Sequence, residues 1–230
     1  LAGNNSDVMI IASDEQIHVL HGHNKYALGG TSMASQANLS AKTRITGEQT
    51  GPYEKGTSVG TYPMHAVSDE SPSSDMHLTN NNSVTFVAGG PGGHHAVLDG
   101  SSKSLTRADN VQFGGMSLLT VSAWFYRLSD DGAAEGIVSK YDQGADDDSF
   151  LVELTSGDVI TFTTDTSAGE VTLTGTTVTA VNRWYHVVGT YDGEQQRLYV
   201  NGQLEAIGAQ TGAIDNSAEV FAVGATTSGD

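Results

Sequence analysis

Two hairpin turns, nine residues apart, constrain this chain more than any other feature. Arg183-Trp184-Tyr185-His186-Val187-Val188-Gly189-Thr190-Tyr191 runs into Asp192-Gly193, and Gln196-Arg197-Leu198-Tyr199-Val200 runs into Asn201-Gly202. Gln203-Leu204-Glu205-Ala206 follows. Asp-Gly and Asn-Gly between alternating runs are strong short-range hairpin signals, because both turn residues must reach positive φ. The segment therefore predicts a three-stranded antiparallel meander.

Further strands crowd the residues before and after it. Leu119, Val121, Ala123 and Phe125 alternate with Thr120, Ser122, Trp124 and Tyr126, the period-2 pattern of a sheet strand. Val84-Thr85-Phe86-Val87 and the stretch from His95 to Leu98 flank a turn cluster, Gly89-Gly90-Pro91-Gly92-Gly93. Gly136 to Tyr141 and Ser149 to Leu154 flank an acidic loop. Val159 to Thr163 and Val171 to Thr174 are rich in β-branched residues, and Glu219 to Gly224 adds a last strand. With 28 glycines, 4 prolines and no convincing helical period after residue 60, the chain reads as an all-β sandwich or barrel.

Residues 1–58 have a different texture. Val8-Met9-Ile10-Ile11 and Gln16-Ile17-His18-Val19-Leu20 read as two short strands, followed by a polar, Gly-rich stretch that buries little by itself. The expected organisation is an N-terminal extended arm, 1–58, and one sandwich, 59–230. The arm would pack on the sandwich, a partner or a neighbouring copy, and could carry homo-oligomer assembly.

Taken together, several short stretches match a known pattern. They are Leu98-Asp99-Gly100-Ser101-Ser102, then Ser122-Ala123-Trp124, then Gly136-Ile137-Val138-Ser139-Lys140. Trp184-Tyr185-His186-Val187-Val188 with Tyr191-Asp192-Gly193 comes next, and Leu198-Tyr199-Val200-Asn201-Gly202 closes the set. In this order and spacing, residues 57–225 resemble the laminin-G-like jelly-roll domains of the concanavalin A-like superfamily, with Tyr62 to Glu70 where that family has its first strand. The resemblance implies a two-sheet antiparallel jelly-roll sandwich with no catalytic apparatus, binding a glycan or a surface protein, often with a calcium ion. It implies an extracellular, cell-surface or virion setting. The alternatives it leaves are a structural component of a virion or surface assembly anchored by the arm, and an accessory domain of a polysaccharide-degrading enzyme. The family's closing strand is not evident after Gly224; either it is missing or residues 1–58 supply a substitute.

The candidate site residues follow from their chemistry. Asp142, Asp146 and Asp148, with Asp147 beside them, are closely spaced carboxylates on a loop, the oxygen donors calcium takes. Tyr126, Tyr191 and Asp192 are the expected ligand-binding residues, because aromatic faces stack on sugar C–H surfaces. Trp124 and Trp184, lying in strands of the family core, are expected to pack the sandwich instead. Three motifs lack their context. Gly30-Thr31-Ser32-Met33-Ala34-Ser35 spells a subtilisin-type nucleophile, but only 31 residues precede Ser32 to supply an aspartate and a histidine. Gln16-Ile17-His18 matches one strand of jelly-roll alginate lyases without the others. His18, His21 and His23 have zinc-like spacing without further ligands.

Charge narrows the partners. The net charge is −17, and residues 1–58 hold five acids against four cations, so nearly all of it falls on the sandwich. Such a surface repels phosphate backbones and anionic lipids, which argues against nucleic acid as a partner. No apolar run approaches the length needed to span a bilayer, so no membrane insertion is expected. The chain has no cysteine, so its core alone holds it, which hints at a microbial or viral source. No signal peptide is visible, and a start at Leu1 reads as a processed or incomplete chain.

Overall fold

The computed structural model describes residues 9–12, 57–61, 77–91, 93–110, 113–142 and 148–226. The strands are β1 Met9–Ala12, β2 Thr57–Thr61, β3 Thr79–Asn81, β4 Thr85–Ala88, β5 His94–Val97, β6 Ser104–Arg107, β7 Leu119–Arg127 and β8 Glu135–Lys140. They continue as β9 Phe150–Leu154, β10 Val159–Thr166, β11 Gly169–Val178, β12 Arg183–Tyr191, β13 Gln195–Val200, β14 Gln203–Ala209 and β15 Phe221–Val223. Six form one sheet in the order β14-β13-β12-β7-β1-β2, and seven form a second in the order β11-β10-β9-β8-β15-β6-β3. β4 and β5 make a separate hairpin. Pairing is antiparallel throughout, so the all-β jelly-roll sandwich expected from the sequence is the fold observed. Among the described residues no helix is long and apolar enough to cross a membrane.

Alternation builds the core. Leu119, Val121 and Ala123 of β7 and Tyr185, Val187 and Tyr191 of β12 point inward. They meet Phe150, Val152 and Leu154 of β9, Ile160 and Phe162 of β10, and Phe221 of β15. Phe162 is fully buried, and it fills the space left by Gly189 on β12, whose absent Cβ would sit 2.6 Å from the Phe162 ring.

The meander β12-β13-β14 is present, but its two turns differ. Asn201 and Gly202 both take positive φ, at 50° and 80°, between the paired residues Val200 and Gln203. At the other turn only Gly193 does, at 86°. Asp192 instead accepts the N–H groups of Glu194 (3.1 Å) and Gln195 (2.8 Å) on its carboxylate, so this loop is a longer, side-chain-capped one.

Residues 1–58 contribute a strand to the sandwich. β1 pairs with β7, Ile10 opposite Val121 and Ile11 opposite Thr120, and β2 flanks it. The expected strands at Gln16 to Leu20 and Tyr62 to Glu70 lie outside the described residues.

At the opposite edge, β11 of one sheet lies against β14 of the other. The Glu205 carboxylate accepts the backbone N–H groups of Thr176 (2.7 Å) and Thr177 (2.9 Å) and the Thr177 hydroxyl. It thereby occupies donors that an open sheet edge would offer to another chain. Burial works to raise its pKa, but the bonds from Thr177 and Thr176 outweigh that and hold it below 4.5. A carboxylate with a lowered folded pKa contributes stability above its unfolded value and loses it as pH falls through the folded one. Glu205→Gln is therefore expected to destabilise by about 1 kcal/mol at neutral pH and progressively less below pH 4.5. Urea melts across that range read the difference, and an equal loss in acid would refute it.

Candidate functional site

The pleat that sends Val121 and Ala123 inward sends Ser122, Trp124 and Tyr126 to the outer face of the six-stranded sheet. On the neighbouring strand it sends Trp184 and His186 outward. The register places His186 opposite Trp124 and Trp184 opposite Tyr126. Trp124 and His186 stack, with centroids 4.8 Å apart and planes at 20°. Tyr126 and Trp184 meet at 5.3 Å, tilted by 56°. Both tryptophans are half-buried and Tyr126 is exposed.

The pair on His186 is held from several sides. Its Nε2 lies 2.9 Å from the Ser122 hydroxyl. Its backbone N–H donates to the Asn201 side-chain oxygen (3.0 Å), and its carbonyl accepts the Asn201 N–H (2.7 Å). The Asn-Gly turn that ends β13 thus also fixes the strand carrying this ring. Tyr199 of β13 continues the same face beyond Val188.

A wall rises beside Trp184. The hairpin β4–β5 brings Gly90, at φ 81°, so close that a Cβ there would stand 2.5 Å from the indole. His95 meets the same indole edge-on, with centroids 5.5 Å apart. His94 and His95 open β5, and His95 is part of the aromatic cluster.

The expected site residues divide. Tyr126 is in the platform. Tyr191 is 2% exposed in the core, and its hydroxyl donates to the Gly212 carbonyl (2.5 Å), so it offers no surface to a ligand. Asp192 caps its turn and pairs with Arg197 at 2.6 Å, so both its oxygens are engaged. The bond from Arg197 lowers its pKa, with backbone N–H donors helping against burial. Trp124 and Trp184, expected to pack between the sheets, lie on the outer face, because they share strand parity with Ser122 rather than with Val121.

Of the acidic loop, Asp142 and Asp148 are described and Asp146 and Asp147 lie outside the described residues. Asp148 is 5% exposed and accepts the Asp142 N–H at 2.7 Å. Burial pushes its pKa up to about 6, with the Glu170, Asp165 and Asp142 charges adding to the rise against the Asp142 hydrogen bond. Oxygen donors suit a hard cation, but calcium takes six to eight of them. Among the described residues no three His, Asp or Glu side chains converge on a metal position. His18, His21, His23 and Ser32 lie outside the described residues.

Solved structures share this fold. The fourth domain of an extracellular arabinanase from Geobacillus stearothermophilus, determined with arabinotriose, superposes with a TM-score of 0.52. It is 16% identical, with 71% of this chain and 80% of that domain covered. The botulinum neurotoxin serotype D binding domain gives 0.50 at 14% identity, covering 68% of this chain and 40% of that one. No curated protein sequence matches. A laminin-G-type family model, described as the concanavalin A-like lectin/glucanases superfamily, matches residues 98–230, more than half of the chain. The segments that carry the resemblance, the two-sheet antiparallel topology and this match agree, and the chain belongs to the concanavalin A-like lectin/glucanase superfamily.

Proposed function

We propose that this domain is a non-catalytic glycan-binding module of an extracellular or surface protein, and that the outer aromatic face of β7 and β12 is where it binds. The observation that carries the reading is the pair of registered aromatic contacts, Trp124 with His186 and Tyr126 with Trp184, left partly open to solvent. Large aromatic side chains on a solvent-facing sheet cost solubility unless something covers them. Here neighbouring elements hold the rings in place, as a preorganised binding surface requires. Sugar rings have one apolar C–H face and a rim of hydroxyls. The platform matches both, with indole surface for the first and Ser122, Tyr126 and the histidine rings for the second. The arabinanase domain, a structure of this fold solved with an oligosaccharide, supports the reading. It also favours a place beside a polysaccharide-degrading catalytic unit over a place in a virion. Calcium at the loop of Asp142 and Asp148 is a further element of the proposal.

A glycan array tests it. Trp124→Ala is expected to weaken binding by about tenfold or more while leaving the urea midpoint almost unchanged, since its side chain lies outside the core. Repeating the array with a chelator reads the calcium element separately. Binding that survives Trp124→Ala and Trp184→Ala together would move the site elsewhere. No binding to any glycan would sink the function itself.

A further inference from the structure

The charge and spacing of the platform restrict what it can hold, and we infer, on the reading just given, that its ligand is an uncharged glycan chain rather than a uronate- or sulfate-bearing one. Three observations carry this. The first is the charge left on the face. Among the described side chains that strand parity turns to this face, Arg197 is the one formal cation. Its guanidinium donates to Asp192 at 2.6 Å and to the Gln195 side-chain oxygen at 2.8 Å. A carboxylate or sulfate seated on the rings would have to break that pair or stay unpaired, and an unpaired anion excluded from water is costly.

The second observation is the charge of the whole chain. The chain carries a net charge of −17, and an anionic polymer approaching it is repelled over about 8 Å at physiological ionic strength. Proteins that capture anionic polymers present the opposite arrangement, clustered Arg and Lys with free donors.

The third observation is spacing. The two aromatic pairs occupy successive outward positions of β7 and β12, about 7 Å apart along the strands. One sugar ring covers one pair, and a chain running along the strands covers both. Hydroxyl-rich, uncharged residues then meet neutral polar groups of the same kind, the Ser122 and Tyr126 hydroxyls beside the rings.

The test is calorimetric titration of the whole chain. The probes are neutral arabinan, xylan, mannan and β-glucan oligosaccharides, their monosaccharides, and uronate- and sulfate-bearing oligosaccharides of matched length. At least one neutral oligosaccharide is expected to bind at least about tenfold more tightly than any charged probe and than its own monosaccharide. That binding should be lost in Trp124→Ala and be insensitive to added salt. Tighter binding of a charged probe, lost in Trp124→Ala and weakened by salt, would overturn this inference and leave the glycan-binding function standing. A monosaccharide as tight as its oligosaccharide would overturn the chain requirement. No binding of any probe would overturn both readings.

Discussion

Lys140→Met is expected to destabilise the domain by about 3–5 kcal/mol, the loss typical of a buried ion pair deprived of one partner. Lys140 is fully buried near the end of β8, a rare position for a lysine. Its ammonium donates to the Ser217 carbonyl (2.5 Å), the Ser217 hydroxyl (3.1 Å) and the Glu219 carbonyl (2.8 Å), and pairs with Asp109 at 2.9 Å. Ser217 and Glu219 belong to the irregular stretch between β14 and β15, where the chain leaves one sheet and enters the other. Ser149 reinforces the anchor: its hydroxyl donates to the Asp215 carbonyl (2.6 Å) and lies 3.0 Å from the Ser217 hydroxyl. Methionine fills most of the same volume but leaves the Ser217 and Glu219 carbonyls without the ammonium donor. Urea denaturation measures the loss. Asp109→Asn is the control: Asp109 is 37% exposed and the ammonium keeps its other oxygens, so about 1 kcal/mol is expected. A Lys140→Met midpoint as high as that of Asp109→Asn would show that the crossing is held by something else.

This anchor also marks where sequence reading ends. Lys140 is legible as the last residue of a recurrent strand segment, but its role depends on a partner 77 residues away. Strand positions were far more accessible. The bounds of β12 match the alternating run read from the sequence, because an outward polar residue between two inward apolar ones needs no tertiary information. Neither β3 nor β6 is legible, because Thr79-Asn80-Asn81 and Ser104-Leu105-Thr106-Arg107 carry almost no apolar alternation. The platform is half legible. Trp124 alternates in step with Thr120, Ser122 and Tyr126, which is the signal for an outward position, against the general tendency of tryptophan to be buried. The packing of the Gly90 hairpin against Trp184 is not legible, since it depends on how distant segments meet, whereas the inward position of Tyr191 follows from its alternation with Tyr185 and Val187.

Gly189→Ala is the second large effect expected, and it connects the core to the platform. The new Cβ would lie 2.6–2.8 Å from three atoms of the Phe162 ring, well inside contact distance. Phe162 is fully buried on β10, the strand next to the edge of the opposite sheet. Overpacking of this kind costs about 1–3 kcal/mol, occasionally more. Relief comes only by separating the sheets or pushing β12 outward. β12 carries Trp184 and His186 on its other face, so the second route also disturbs their register with Tyr126 and Trp124. The variant should thus lose stability and glycan affinity together, whereas Trp124→Ala loses affinity alone. Phe162→Leu removes the ring that clashes, at a cost of its own, and combined with Gly189→Ala it should destabilise by less than the sum of the two changes. Strict additivity in urea melts would mean that Gly189 and Phe162 do not share the space between the sheets. Glycan affinity kept in Gly189→Ala while its melting midpoint falls would mean that β12 transmits nothing from the core to the rings above it.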